Sequence, residues 1–375
     1  MNLFLLYIIG SFVVSMACGF LFIPLVIAYC KKKKLYDLPN ARKVHKCGVP
    51  RLGGICFLPC MFLASMLAMF VFNGTSETEC NKITLSLWSV YFFVSLLLIY
   101  SVGLIDDFVG LEARTKFVVQ LLAASLFPCA DLYINNLYGF CGIYHIPFYV
   151  GAPLTVFVIV FIDNAMNLID GIDGLSAGIS LMALSGFLYY FLRDGLWVYS
   201  ILIAGLMGVL TSFVYYNVFG KAGKNKIFMG DSGSLTLGFI LGFLFVKFSM
   251  DNPHILPFRR DSMLLAYTLL IVPVFDVCRV ILARMRHHKP IFGADKNHIH
   301  HKMMRASLSQ HQALVAILCV SLLYVVVNNL LANFCNITLI VFLDILLWCV
   351  IQGGINYLIR KNNREVFYRE QDSNV

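Results

Sequence analysis

The feature that most constrains this chain is its repeated return to long apolar sequence. About 20 apolar residues cross a bilayer core as one helix. Eleven runs approach or exceed that length: 3–29, 52–73, 83–105, 115–132, 147–163, 174–193, 195–216, 233–250, 263–283, 313–332 and 336–359. Hydrocarbon offers no partner to a backbone N–H or C=O, so a spanning run of this kind must be helical. The expected fold is an all-α membrane protein, a polytopic bundle of 11 transmembrane helices. Composition agrees, because 59% hydrophobic and 13% charged residues, with a mean hydropathy of +0.80, are far from the balance of a water-soluble domain. Residues 1–360 read as a single integral membrane domain and 361–375 as a polar tail in the cytoplasm.

The first run has no basic segment before it and exceeds the apolar core of a signal peptide, so it is expected to remain as the first span. The twelve cysteines form no CxxC pair, and most lie inside apolar runs. They read as small buried hydrophobes, not as a disulfide framework or a zinc site.

Lysine and arginine orient the bundle, because they concentrate in cytoplasmic loops. Segments 30–51, 106–116, 164–173, 217–231, 284–312 and 360–375 alternate with the other loops and hold 23 of the 29 Lys and Arg, against 4 in the loops opposite. The N-terminus is thus expected outside and the C-terminus in the cytoplasm. The net charge of +9 belongs to this bias, and no nucleic-acid partner is implied.

Four polar clusters fall on the side that the basic residues mark as cytoplasmic, which points to one shared set of active-site loops. Asp106 and Asp107 end a long apolar run, and neighbouring carboxylates at a membrane interface need a cation or a proton. A solvated helix end beside Arg114 and Lys116 is the alternative. In N-A-M-N-L-I-D-G-I-D-G-L, Asn164, Asn167, Asp170 and Asp173 recur every three residues, with Gly171 and Gly174 permitting close backbone approach. An Asx-rich turn is the plainer reading. The sequence G-D-S-G-S opens the eighth run, where free helix N–H groups and the Asp231 carboxylate suit phosphate with a divalent cation; a simple cap by Ser232 or Ser234 competes. The segment 284–302 carries five of the nine histidines, with Asp295, Lys296 and Asn297 among them. Zinc is its competing ligand, disfavoured by the lack of i, i+4 histidine spacing and of a nearby cysteine. Together the acids suit Mg²⁺ and the basic loop suits phosphate oxygens, the inventory of phosphoryl transfer.

At these residues the chain resembles the polyprenyl-phosphate N-acetylhexosamine-1-phosphate transferases. The resemblance covers residues 20 to 305, with motifs in the family's order: Asp106-Asp107, N-A-M-N-L-I-D-G-I-D-G-L, F-M-G-D-S-G-S, V-P-V-F-D ending at Asp276, and D-K-N-H-I-H-H. It implies a bacterial inner-membrane enzyme requiring Mg²⁺, with Mn²⁺ as an alternative. The reaction would move a sugar 1-phosphate from a UDP-sugar to undecaprenyl phosphate and release UMP, starting a cell-envelope polysaccharide. By this resemblance Asp231 and Asp170 are similar to metal ligands, and Asp106 and Asp107 to the acidic pair beside the lipid phosphate. Asn164, Asn167, Asp170 and Asp173 are similar to the nucleotide-side cluster. Lys116, Asp276, Asp295, His298, His300 and His301 complete the substrate-binding set. The H-I-H-H form resembles the GlcNAc 1-phosphate branch and favours UDP-GlcNAc. The bilayer is a further partner, and a homodimer is compatible with the reading.

Two routes stay open at this point, direct attack by the lipid phosphate and a covalent intermediate on Asp231. Rival classes fit less well. A transporter would place its ionisable groups at the midplane within repeated halves, and a scaffold needs none of the clusters. The CDP-alcohol phosphotransferases differ in the residues after Leu175.

Overall fold

The computed structural model describes residues 2–37, 48–75, 87–252, 258–290 and 296–368. In chain order its elements are α1 (Asn2–Lys33), β1 (Tyr36–Asp37), β2 (Val49–Pro50), a 3-10 turn (Gly53–Cys56), α2 (Phe57–Thr75), α3 (Leu87–Val109) and α4 (Ala113–Cys129). They continue with β3 (Asn136–Phe140), β4 (Ile143–His145), α5 (Phe148–Ile169), α6 (Leu175–Arg193), α7 (Trp197–Val218) and α8 (Asp231–Ser249). The last are α9 (Ser262–Leu269), α10 (Ile271–Arg286), α11 (Ile299–Arg305), α12 (Gln310–Leu331) and α13 (Ile337–Lys361). The only sheets among the described residues are two antiparallel hairpins, β1–β2 and β3–β4.

This is an all-α multi-pass membrane protein. Among the described residues nine helices are long and apolar enough to cross a bilayer, and α9 with α10 makes a tenth if that bent pair is one span. The remaining expected run, 115–132, forms α4, whose 17 residues give about 26 Å of helix, slightly less than a bilayer core of about 30 Å. The ninth run is not one straight helix, because its two parts meet at 70°. Pro273 explains the break: lacking an N–H, it cannot donate to the carbonyl of Leu269, the last residue of α9. Polar side chains meet beside the bend, where Asn328 Nδ2 donates to Thr268 Oγ1 and to Asp344 Oδ2, each at 2.9 Å.

The centre of the bundle is α8. Between Asp231 at its head and Lys247 in its last turn its sequence is apolar, small or hydroxylic on every side, and Ser232 through Ser249 are all buried, as expected of a helix without a polar face. It packs against α3, α5 and α6. Glycines set the closeness of two of these contacts: a Cβ at Gly103 would lie 2.6 Å from Ser232 Cα, and one at Gly238 would lie 2.6 Å from Asp163 Cα. The far end of α8 is closed by the hairpin side, where Tyr138 OH donates to the Ser249 carbonyl at 2.8 Å and Asn135 Nδ2 to the Asp251 carbonyl at 2.7 Å. Its N-terminal end is therefore the end that holds the polar clusters.

Candidate active site

Three segments meet at the start of α8. Residues 50–54 run beside 228–229, with Phe228 N donating to the Pro50 carbonyl at 2.7 Å, Gly53 N to the Phe228 carbonyl at 2.9 Å and Gly54 N to the Met229 carbonyl at 2.7 Å. The end of α3 supplies the third. Both oxygens of Asp107 accept backbone N–H groups at the head of α8, from Asp231 at 2.8 Å and from Ser232 at 3.0 Å. The first amides of a helix have no partner within it, and a carboxylate placed there satisfies them and the helix dipole together. Asp107 is thus the cap of α8 and is buried at 4% exposure.

Asp106 faces a different neighbour. Its Oδ1 accepts Leu111 N at 2.7 Å, and its Oδ2 lies 3.3 Å from Lys116 Nζ. The same ammonium reaches Asp231 Oδ2 at 2.7 Å. Two carboxylates from separate helices therefore share one cation.

Asp106, Asp107 and Asp231 line a cleft of about 440 Å³ together with Asn167, Asp170, Asp173, Asn217, Ser234, His301, Arg51 and Asp37. Asn167 Nδ2 donates to Ser234 Oγ at 2.8 Å, joining the end of α5 to the first turn of α8. Asp173 Oδ2 pairs with Lys226 Nζ at 2.5 Å. Burial pushes the Asp170 carboxyl up to about 7, and the negative charges of Asp231, Asp173 and Asp107 push in the same direction. A carboxylate held so reluctantly among other carboxylates is a place for a cation. Among the described residues no three His, Cys, Asp or Glu side chains converge as a closed metal cage.

The histidine segment approaches from α11. His300 is buried, and burial together with neighbouring His301 and His298 holds its imidazole well below the usual range, so it is neutral. Its ring lies on the backbone of Gly171, where a Cβ would come within 2.1 Å of Nε2. Neither ring nitrogen has a hydrogen-bond partner among the described residues. His301 reaches the cleft itself.

The remaining expected site residues lie elsewhere. Asn164 points to α4, donating to Gln120 Oε1 at 3.0 Å, while Gln120 Nε2 donates to Asp163 at 2.9 Å. Asp276 and His298 hold each other behind the cleft: the Asp276 carboxylate meets His298 Nδ1 at 2.9 Å, Arg279 Nη2 at 2.7 Å and Ile299 N at 3.0 Å. That arrangement caps α11 and anchors it to α10. Asp295 lies outside the described residues.

Besides Asp37 of the cleft lining, four contributors were not singled out from sequence. Arg51 lines the cleft and its Nη2 donates to the Asp107 carbonyl at 2.6 Å. Gln120 and Asp163 back the α5 cluster, although Gln120 reads as one polar residue inside an apolar run and Asp163 as the end of another, just before Asn164. The fourth is the polar tail, which folds back onto the histidine segment. Tyr368 N donates to Asn297 Oδ1 at 2.8 Å, Arg305 Nη2 to the Val366 carbonyl at 3.0 Å, and the His287 and Phe367 rings stack at 4.0 Å. The Asn297→Ala exchange removes the Tyr368 anchor of this clasp and is expected to cost about 1–3 kcal/mol of local stability. Limited proteolysis would detect it as faster cleavage around residues 287–305 than in the parent protein, and an unchanged rate would contradict it.

A helical membrane bundle with acids, amides and an imidazole converging on one interfacial cleft, around a capped helix start, has the outline of an integral-membrane transferase. Comparison with known proteins agrees. The profile of glycosyl transferase family 4 matches residues 89–249, a span from α3 through α8 that contains most of the cleft. A Bacillus subtilis (strain 168) protein described as "Probable undecaprenyl-phosphate N-acetylglucosaminyl 1-phosphate transferase" is 31% identical over 329 residues, which is 84% of this chain and 83% of that protein. The decaprenyl-phosphate N-acetylglucosaminephosphotransferase of Mycobacterium tuberculosis is 32% identical over 74% of this chain and 71% of its own length. The undecaprenyl-phosphate alpha-N-acetylglucosaminyl 1-phosphate transferase of Yersinia pestis is 28% identical over 83% and 79%. The chain belongs to this family of polyprenyl-phosphate N-acetylhexosamine-1-phosphate transferases, within glycosyl transferase family 4.

Proposed function

We propose that the protein transfers N-acetylglucosamine 1-phosphate, or a related N-acetylhexosamine 1-phosphate, from its UDP-sugar to undecaprenyl phosphate. The products are undecaprenyl-diphospho-sugar and UMP, and the step opens assembly of a cell-envelope polysaccharide at the cytoplasmic face of the inner membrane. The observation that carries this reading is the shared placement of Asp106, Asp170 and Asp231 in one interfacial cleft with Lys116 and His301 close by. The basic-residue bias of the loops supports the cytoplasmic orientation.

The donor set suits Mg²⁺. That ion prefers one or two carboxylates and completes its shell with water and substrate phosphates, and Asp231 and Asp170 bring two carboxylates to the one cleft. Asp231 and Asp170 would hold it, and when bound it neutralises charge on the donor diphosphate. The protein's own groups do the rest. Asp107 fixes the start of α8 and so the position of Asp231. Lys116 and Arg51 offer positive charge to phosphate oxygens. His300, neutral and pressed on Gly171, keeps the nucleotide-side loop in place, and His301 faces the cleft.

In the step itself an oxygen of the acceptor phosphate attacks the β-phosphorus of the UDP-sugar. The new P–O bond forms as the bond from that phosphorus to the bridging oxygen breaks, and the bridging oxygen leaves with UMP. A phosphate monoester has its second pKa near about 6, so the acceptor is already mostly a dianion at neutral pH and asks little of a base. Asp106 is the better placed of the acidic pair for that minor role, since Asp107 is fixed by two backbone N–H groups of α8 while Asp106 Oδ2 faces the Lys116 ammonium it shares with Asp231. A labelled sugar phosphate trapped on Asp231 in the absence of acceptor would overturn the direct route.

Purified protein incubated with Mg²⁺, undecaprenyl phosphate and a panel of UDP-sugars tests the substrate assignment, with UDP-GlcNAc expected to release UMP fastest. No lipid-linked product from any donor would end it. Asp170 adds a pH signature. Its carboxyl is raised to about 7, and a metal must displace the proton below that value, so the Mg²⁺ concentration for half-maximal rate should rise about tenfold per unit below about pH 7. It should level off above. Asp170→Asn is expected to weaken Mg²⁺ binding and flatten that dependence; an unaltered slope in the variant would remove Asp170 from the site.

A further inference from the structure

The helix that carries His300 and His301 is too short to place itself. Helix α11 has 7 residues, whereas a helix on its own needs about 12–15 residues to persist in water. Its position is therefore set by what grips its ends. At its start the Asp276 carboxylate accepts Ile299 N. At its finish Arg364, just beyond the end of α13, donates from Nη1 to the Arg305 carbonyl at 3.0 Å and to the Met304 carbonyl at 3.5 Å. The last carbonyls of a helix lack partners within it, and a basic side chain placed there satisfies them and the helix dipole together. Asn362 adds a bond from its Nδ2 to Ser307 Oγ at 3.1 Å, after the helix has ended.

The next tail residues hold the chain that leads into α11. Asn297 and Tyr368 exchange two hydrogen bonds, Tyr368 N to Asn297 Oδ1 at 2.8 Å and Asn297 Nδ2 to the Tyr368 carbonyl at 3.3 Å. The Arg305 guanidinium spans both segments, giving Nη1 to the Lys296 carbonyl at 2.6 Å and Nη2 to the Val366 carbonyl at 3.0 Å. Phe367 stacks on His287, and its ring centre lies 5.8 Å from Lys289 Nζ. The two cleft-side histidines sit between these grips. His301 lines the cleft, and its ring is 4.2 Å from that of His300, which presses on Gly171. So short a helix moves as a unit, and a shift at Arg305 displaces both imidazoles.

We propose that residues 362–368 are a positioning segment of the active site, holding α11 so that His301 meets the UDP-sugar, although none of them lines the cleft. The inference rests on the donor assignment made above and adds what fixes one of the groups that meets the donor. The dependence is steep because a group misplaced by about 1 Å loses much of its effect on a bound substrate. The glycosyl transferase family 4 profile ends at residue 249, so this support comes from sequence beyond that match.

Two shortened proteins in nanodiscs provide the test. A chain ending at Asn363 loses Arg364, Val366, Phe367 and Tyr368, while a chain ending at Tyr368 keeps every contact described above. The first is expected to raise the KM for UDP-GlcNAc about tenfold with the acceptor KM near the parent value, and the second to match the parent in both. A loss confined to kcat, with both KM values unaltered, is what a smaller folded fraction gives, and it would reduce the tail to a stabilising element. Phe367→Ala removes one stacked ring and should move the donor KM in the same direction by about threefold, with Phe367→Tyr restoring it; this pair decides if the shorter chain does not fold. A further readout needs no turnover. Carbethoxylation of His301 by diethyl pyrocarbonate, followed by peptide mass spectrometry, should be severalfold faster in the chain ending at Asn363 than in the parent, and equal rates would contradict the proposal. Failure of the underlying reading is separate: parent protein that releases no UMP from any UDP-sugar, with His301 labelling still faster after shortening, would leave the tail's hold on His301 standing and remove the donor.

Discussion

Asp231→Asn is expected to reduce UMP release by about a thousandfold or more while leaving the protein folded. The exchange keeps the shape of the side chain and removes its charge. What is lost is the carboxylate that joins Lys116 at 2.7 Å in a cleft already lined by Asp106 and Asp170, the set assigned to cation and diphosphate. What is kept is the start of α8, because Asp107 grips the backbone N–H groups of residues 231 and 232 and takes nothing from the Asp231 side chain. Thermal unfolding in detergent should therefore change by no more than a few degrees. Activity within tenfold of the parent at ordinary Mg²⁺ would remove Asp231 from its assigned place.

Gly230→Ala should damage fold and activity together. Gly230 precedes α8 at φ 76° and ψ 172°, a region that only glycine occupies readily, and holding another residue there costs about 1–3 kcal/mol. Space is a second obstacle: a Cβ would lie 2.2 Å from the Arg51 carbonyl oxygen and 2.6 Å from Asp107 Oδ2. Neither contact can relax cheaply, since one is backbone pinned to residues 228–229 and the other is the cap of α8. The expected result is a stability loss of about 3 kcal/mol or more, with little remaining turnover in the folded fraction. Gly110→Ala is the informative control. Gly110 also has positive φ, at 78°, but its Cβ would meet nothing within 4 Å, so it should lose only about 1–2 kcal/mol and retain the Asp107 cap. Equal behaviour of the two variants would show that backbone strain alone, and not the close approach of Arg51 and Asp107, explains Gly230.

The architecture was legible in sequence because each spanning helix declares itself by its own composition. Helix α8 is the clearest case, central and without a polar face between Asp231 and Lys247. Length misleads where a run is marginal: the sequence at 115–132 yields a helix of only 17 residues, and Pro273 divides a run that hydropathy alone joins. The cleft was legible in part. Asp106, Asn167, Asp170, Asp173 and Asp231 stand out because amides and acids are costly between spans, and the fold brings them together. Their individual partners were not legible, since spacing along a chain does not say which way a side chain turns. Asp276 and His298 lie in motifs with cleft residues yet face each other, and Asn164 turns toward Gln120. Arg51 went unnoticed as one more basic residue in a basic loop. A signal existed in the Gly53-Gly54 pair that follows it, for a Cβ at Gly54 would lie 2.1 Å from Gly233 N. The tail looked like solvated polar sequence, and its contacts with Asn297 and Arg305 depend on partners about 60–70 residues away.

The central claim is that the protein moves a sugar together with its phosphate, and the position of one labelled atom tests it most directly. Purified protein, Mg²⁺, undecaprenyl phosphate and UDP-GlcNAc radiolabelled in the β-phosphate should place the label in the lipid fraction, in equal amount with the UMP released. Label retained in released UDP would mean that only the sugar had moved, and would contradict the account.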